Sequence, residues 1–278
     1  MFRLPVLVAT RYVQPLREGG SLPAVVDTDG SGLFVAKFRG AGQGVKALIA
    51  ELIAGLLARE AGLPTPEMSL LDVSESFGRS EPDPEIQDLL RASHGINVGA
   101  RYLDGAFNFD VSAAGEFVSP ELAARIVWFD AFMTNPDRTH RNPNLLIWQR
   151  APWLIDHGAA LYVQHDWASA DRARTMSPFQ LIRDHVLLAQ SSDIADADAT
   201  MTKAITDDLI ERVIGAIPDE FLTDPTVSTD FATPAAARER YMEYLAARLR
   251  GPRAFVGEAR DARDVIARVP PHRLGARR

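Results

Sequence analysis

The chain has 278 residues, of which 46% are hydrophobic and 24% charged, and it contains no cysteine. These proportions are those of a soluble globular protein and exclude disordered, collagen-like and coiled-coil classes. Without cysteine there is no disulfide framework, thiolate metal site or cysteine nucleophile. A formal charge of −7 argues against nucleic acid as a partner. One bias stands out: only Lys37, Lys46 and Lys203 among the 30 basic residues are lysines, and the rest are arginines.

The N-terminal apolar run is too short for a signal-peptide core. No stretch approaches the ~20 apolar residues that span a bilayer. A cytoplasmic protein with no membrane partner is expected.

In chain order, residues 4–10 and 23–27 read as strands, with Glu18-Gly19-Gly20-Ser21 as a turn between them. Asp29-Gly30 turns the chain into a third strand over 33–38, which completes a meander. A helix follows over 45–61. Leu48, Leu52 and Leu56 recur every four residues beside Ile49, Ile53 and Leu57, so one wide face is apolar, and Glu51 falls at its margin. Gly62, Pro64 and Pro66 stop the helix.

Residues 74–95 read as a polar surface insertion with one short helix, and 96–103 as a strand broken by Asp104-Gly105. The boundary between an N-terminal lobe, 1–103, and a mainly helical C-terminal lobe, 104–278, is placed there. In the second part Ser119-Pro120 caps a helix that Asn135-Pro136 ends. A hairpin is expected over 144–156 around Gln149, with helices near 178–189, 202–216 and 234–250. Trp128, Trp148, Trp153 and Trp167 in this half read as core and hairpin packing.

The informative segment is Asn135-Pro136-Asp137-Arg138-Thr139-His140-Arg141-Asn142, followed by a hairpin ending in Asp156-His157-Gly158. A carboxylate at a helix exit, an amide five residues on and a second carboxylate after a strand supply what phosphoryl transfer needs. One Asp orients the attacking hydroxyl, and an Asn and another Asp hold Mg2+. Alone, the Asp–Asn pair reads equally as a helix-stop turn. Lys37 at the close of a strand and Glu51 on the next helix favour the catalytic reading. In so arginine-rich a chain, a lysine marks a place for a compact point charge.

Gly40-Ala41-Gly42-Gln43-Gly44-Val45-Lys46 lies where a phosphate loop belongs but fails both glycine-rich signatures, because Val45 stands where each needs glycine. It reads as a connector, and Gly19-Gly20-Ser21 as the better cover for nucleotide phosphates. His140 and His157 fall within the candidate site. His94, His165, His185 and His272 are scattered and show no metal-ligand spacing.

The segments Phe34-Val35-Ala36-Lys37-Phe38, GAGQG…AELIAGLLAREAGLPTPE, Asn135 to Asn142 and Leu154-Ile155-Asp156-His157-Gly158 together resemble the HipA-like kinase family. The resemblance covers most of residues 10–200. It implies an α+β two-lobed kinase-like fold, with a small β-rich lobe carrying one main helix and a mainly helical second lobe. It implies an ATP- and Mg2+-dependent kinase that transfers the γ-phosphoryl group to a hydroxyl, most readily of protein Ser/Thr. Lys37 would contact the α/β-phosphates and Glu51 would hold it. Asp137 would be the base, Asn142 and Asp156 the Mg2+ ligands, and the Arg101-Tyr102-Leu103 backbone the adenine hinge.

Some relatives are toxins paired with an antitoxin, so an antitoxin-like partner protein is a further expectation. The chain is shorter than those toxins and is expected to lack their extra N-terminal subdomain. Two alternatives stay open: a small-molecule kinase of aminoglycoside-phosphotransferase type, and a nucleotide-binding regulatory pseudokinase. The former carries a His two residues before the base, where this chain has Asn135. The stretch 238–278 holds eleven arginines against five acids and reads as a solvated helix and tail.

Overall fold

The computed structural model describes residues 4–16, 22–79 and 81–268. The turn expected at 18–21, and with it Gly19, Gly20 and Ser21, lies outside the described residues, as does His272.

The first strands are β1 (Val6–Pro15), β2 (Ala24–Thr28) and β3 (Leu33–Lys37), of which β3 alternates in burial, paired antiparallel as the expected meander. Helix α1 (Gly44–Glu60) follows, then β4 (Met68–Val73), α2 (Pro84–Arg91) in the polar insertion, and β5 (Gly95–Arg101). The five strands close into a barrel in the order β1-β2-β3-β5-β4, sealed by a parallel β1–β4 pair. Sequence reading missed β4. Its run Met68-Ser69-Leu70-Leu71 is buried on both sides, so it has no in–out alternation to announce it.

Helix α1 departs from the one-faced expectation. Twelve of its 17 residues are buried, Glu51 among them at 3% exposure. One side packs on the barrel strands and the other on α7, α8 and α9, defined below. Lys46 at its start donates to Gln164 O and Asp230 Oδ2, at 2.9 and 2.8 Å, so the second of the three lysines is an anchor. In the preceding connector, a Cβ on Gly40 would lie 2.7 Å from Ala92 Cβ and 2.8 Å from Ser93 Oγ. That glycine serves close packing against the insertion.

After β5 come β6 (Phe107–Asn108), the short α3 (Ala114–Phe117) and α4 (Pro120–Phe132), whose cap Ser119 accepts from Leu122 N–H. The hairpin is β7 (Leu145–Trp148) and β8 (Ala151–Leu154), with Trp148 and Trp153 edge-to-face across it at 5.2 Å. Its turn is Gln149-Arg150, so Asp156 lies beyond the second strand.

The rest is helical: α5 (Arg172–Thr175), α6 (Ile194–Ala204), α7 (Asp207–Ile214), α8 (Asp219–Leu222), α9 (Pro225–Ser228), α10 (Pro234–Arg250) and α11 (Ala254–Arg268). Two helix expectations are corrected. Residues 178–189 form 3-10 turns, because this backbone is committed elsewhere: Val186 N–H donates to Arg138 O, and His185 bridges Thr139. The single helix expected over 202–216 is two. Thr206 leaves the helical region and its hydroxyl caps α7 by accepting from Leu209 N–H. Among the described residues no helix is long and apolar enough to cross a membrane.

Among the described residues, several arginines of the last two helices and of the turn between them bond within the fold, so that part of the stretch is not simply a solvated face; the tail beyond 268 lies outside the described residues. Arg253 forks onto Asp198, Arg238 pairs with Asp219, and Arg250 bonds Asp207. Arg248, only 3% exposed, donates to the carbonyls of Ala131, Phe132 and Thr175, all at 2.9 Å. It thereby satisfies the C-terminal carbonyls of α4 that no intrahelical N–H reaches. Replacing Arg248 with Met keeps the stem but strands the carbonyls of Phe132 and Thr175 and leaves Ala131 O with the Thr134 N–H at 3.4 Å. We expect Arg248→Met to lose at least about 3 kcal/mol of unfolding free energy in urea titrations; a loss under about 1 kcal/mol would contradict this account.

Candidate active site

A cleft of about 520 Å3 opens between the barrel and the β7–β8 hairpin. Its apolar walls include Val35, Met68, Ala100, Leu146 and Leu154, and its polar end gathers Lys37, Glu51, Asn142, Asn144 and Asp156. Arg101, Tyr102 and Leu103, expected as the hinge, line it as well.

Lys37 is the last residue of β3. Its ammonium donates to Glu51 Oε2 at 2.7 Å and to Asp156 Oδ1 at 2.5 Å. The same Glu51 oxygen accepts the backbone N–H of His157 at 2.7 Å. Thus β3, α1 and the turn after β8 meet on one carboxylate. Burial alone would lower the Lys37 pKa, but the charges of Glu51 and Asp156 outweigh it and raise its pKa, so it stays an ammonium. Glu51 is raised too, for the opposite reason: burial outweighs the Lys37 charge and pushes its carboxyl up. Burial also pushes on Asp156, yet Lys37 prevails and holds that carboxyl below its ordinary value. The Asp156 side chain remains one-third exposed and sits at φ +54°, a left-handed conformation that costs a non-glycine residue about 1–2 kcal/mol.

Asp137 follows the end of α4. Its Oδ2 accepts from Asn142 Nδ2 at 2.8 Å and from Asn144 Nδ2 at 3.0 Å. Spacing singled out Asn142; the structure brings Asn144 equally close. With both amide nitrogens turned to Asp137, the amide oxygens are the atoms left for a cation. Among the described residues no group of three His, Cys, Asp or Glu side chains is placed to hold a metal ion. One carboxylate and amide oxygens form a sparse, hard-oxygen donor set, which fits Mg2+ that shares its coordination with phosphates and water. His140, adjacent to this loop, is exposed.

Sequence reading missed a buried group beneath these loops. Asp130, fully buried in α4, accepts from Arg138 Nε at 2.6 Å and Asn135 Nδ2 at 3.0 Å, and faces His185 Nε2 at 3.0 Å. Burial pushes its carboxyl up, but the Arg138 charge and the hydrogen bonds from His185 and Arg138 prevail and hold it well below the ordinary range. A carboxylate inside the apolar run Val127-Trp128-Phe129-Asp130-Ala131-Phe132 was the signal available in the sequence.

A lysine–glutamate pair over a barrel-covered cleft, with an Asp-Arg loop and a second aspartate after a hairpin, defines the class: a kinase. The chain belongs to the HipA-like kinase family, whose model matches residues 10–244. Among solved structures, a Helicobacter pylori proinflammatory kinase, CtkA, superposes with a TM-score of 0.57. It does so at 12% identity, over 96% of this chain and 100% of that one, a likeness of fold. No curated protein matches the chain.

His157 supplies a test of the site's electrostatics. It is 1% exposed, and its Nδ1 faces the Arg138 guanidinium at 3.4 Å, so Nδ1 accepts and the proton sits on Nε2. Burial, then the nearby Arg138 charge, push it down to about 3. The unfolded chain takes up a proton near pH 6.5. The neutral ring's contribution to stability is therefore complete above about pH 6.5 and is lost as pH falls toward 3, at about 1.4 kcal/mol per pH unit. His157→Phe is expected to shrink the acid-induced loss between pH 7 and pH 5, read by urea unfolding at both pH values. An unchanged loss would show that His157 is not buried neutral.

Proposed function

We propose that this chain is an ATP- and Mg2+-dependent protein kinase with a Ser/Thr hydroxyl as acceptor, built as two lobes, 1–103 and 104–278, with the cleft between them. The observation that carries this reading is the single ammonium of Lys37 held between Glu51 and Asp156 at the polar end of the cleft, with the Asp137 loop lining the same end.

The apolar walls take the purine. Arg101 N–H is spent on Glu67 O and Tyr102 N–H on Leu33 O, which leaves the Leu103 N–H of the hinge for the purine edge. Lys37 presents its charge to the α/β-phosphates, with Glu51 fixing its direction. Asn142, Asn144 and Asp156 are the oxygen ligands for Mg2+, which neutralises charge on the phosphates when bound. Asp137, held by two amide donors, orients the acceptor hydroxyl and takes its proton. The protein's contribution is positioning and charge placement more than covalent chemistry. The complete set of Lys37, Glu51, Asp137, Asn142 and Asp156 favours an active enzyme over a pseudokinase. An antitoxin-like partner rests on the family resemblance alone.

Thermal unfolding with and without Mg-ATP tests the nucleotide reading. Ligand at a hundred times its Kd stabilises by about 2.7 kcal/mol, so wild type should shift upward with ATP, and further when Mg2+ is also present in excess. Asp156→Ala should lose the Mg2+-dependent part. Asp137→Ala should keep the shift and lose phosphate incorporation, scored by intact-mass spectrometry of the protein after incubation. Absence of any Mg2+-dependent shift in wild type sinks the proposal.

A further inference from the structure

Beneath the proposed catalytic loop, the Arg138 guanidinium touches both halves of the site at once. Its Nε donates to Asp130, 2.6 Å away, while Nη1 donates to the carbonyl oxygens of Asn144 and, at 3.3 Å, Ile155. Nη2 faces His157 Nδ1. Asn144 carries one of the two amides that hold Asp137, and Ile155 immediately precedes Asp156. One planar, fully buried cation therefore spans the turn that sets the base and the turn that sets the metal-binding carboxylate. Both turns are backbone-strained, with Asn144 at φ +48° and Asp156 at φ +54°, and such conformations persist only where surrounding contacts over-determine them.

The anion beneath is fixed in turn. His185 Nδ1 accepts Leu187 N–H at 3.1 Å, which places the ring proton on Nε2, where it donates to Asp130 Oδ2. Asn135 Nδ2 occupies Asp130 Oδ1. Val186 N–H bonds Arg138 O, so the 185–186 backbone and the His185 ring brace the arginine together. Asp130, Arg138 and His185 are each at most 3% exposed, and each Asp130 oxygen has a donor. A satisfied buried network of this kind behaves as one rigid unit.

We propose that Asp130, Arg138 and His185 are positioning residues that set the distance and orientation between Asp137 and Asp156, without touching nucleotide or acceptor. This rests on the kinase reading above. Because Arg138 points inward onto Asp130, it is a brace within the core and not a surface anion receptor.

The test uses Asp130→Asn/Arg138→Met in the full chain. The pair is removed together, so no lone charge is left buried, the situation that breaking one partner creates. The amide oxygen that Asp130→Asn leaves in place still accepts from Asn135 or His185. ATP affinity in EDTA, which draws on Lys37 and Leu103, is expected within threefold of wild type. The Mg2+-dependent gain in ATP affinity should fall at least tenfold, and ADP release from Mg-ATP at least a hundredfold. His185→Gln, which keeps an N–H donor but not the ring's brace to Leu187, should lower ADP release about tenfold with EDTA affinity unchanged. Arg138→Lys, which keeps the charge but not the fork, should resemble the double variant. Variants that are folded and keep both the Mg2+-dependent gain and turnover within threefold overturn the proposal. Should the double variant not fold, His185→Gln and Arg138→Lys decide by the same thresholds. A wild type with no Mg2+-dependent gain instead overturns the underlying kinase reading.

Discussion

The structure depends on one carboxylate oxygen. Glu51 Oε2 receives the Lys37 ammonium from β3 and the His157 amide from the turn after β8, and it does so from a helix buried on nearly every side. An unpaired carboxylate at that depth would cost several kcal/mol. The barrel, α1 and the hairpin must therefore sit where they do for Glu51 to be tolerable. The favourable terms that hold α1 in place are ordinary: leucines and isoleucines against the barrel and against α7 to α9, each contributing about 1.5–3 kcal/mol. The apolar packing brings the ions together, and the ions then fix direction.

A second ionic layer lies below the first. Arg138 and Asp130 occupy α4 and the loop that follows it, while Lys37 and Asp156 face the cleft. The two layers meet at residues 155–157, whose carbonyl, carboxylate and ring each belong to a different bond. Arg248 repeats the device at the same end of α4, closing its last turn with a cation from α10. This gives the arginine bias a physical meaning. Planar forks satisfy several carbonyls at once inside the fold, whereas the lysines serve as point charges: Lys37 at the cleft, Lys46 as the anchor of α1.

Much of this was legible in the sequence. The meander, α1, the capped start of α4, the hairpin and α10 follow from periodicity and capping residues. The residues singled out as Lys37, Glu51 and Asp156 do converge, as do Asp137 and Asn142. What was not legible has a common cause. Strand β4 has no alternation because both faces are covered, and the segment 178–189 looks helical until its backbone is seen committed to the Asp137 loop. Asn144 competes with Asn142 only in space, since sequence spacing cannot tell which amide turns toward Asp137. His185 read as scattered because its partner, Asp130, lies 55 residues away.

The burial of α1 has a consequence for control. A helix with solvent on one side can rock outward cheaply and so take its glutamate away from a lysine. Here an outward swing would uncouple Lys46 from Asp230 and strip apolar side chains from α7 to α9 as well as from the barrel. Each large side chain uncovered costs as much as one good ion pair returns. The Lys37–Glu51 pair is thus a fixed part of the architecture, not a throttle.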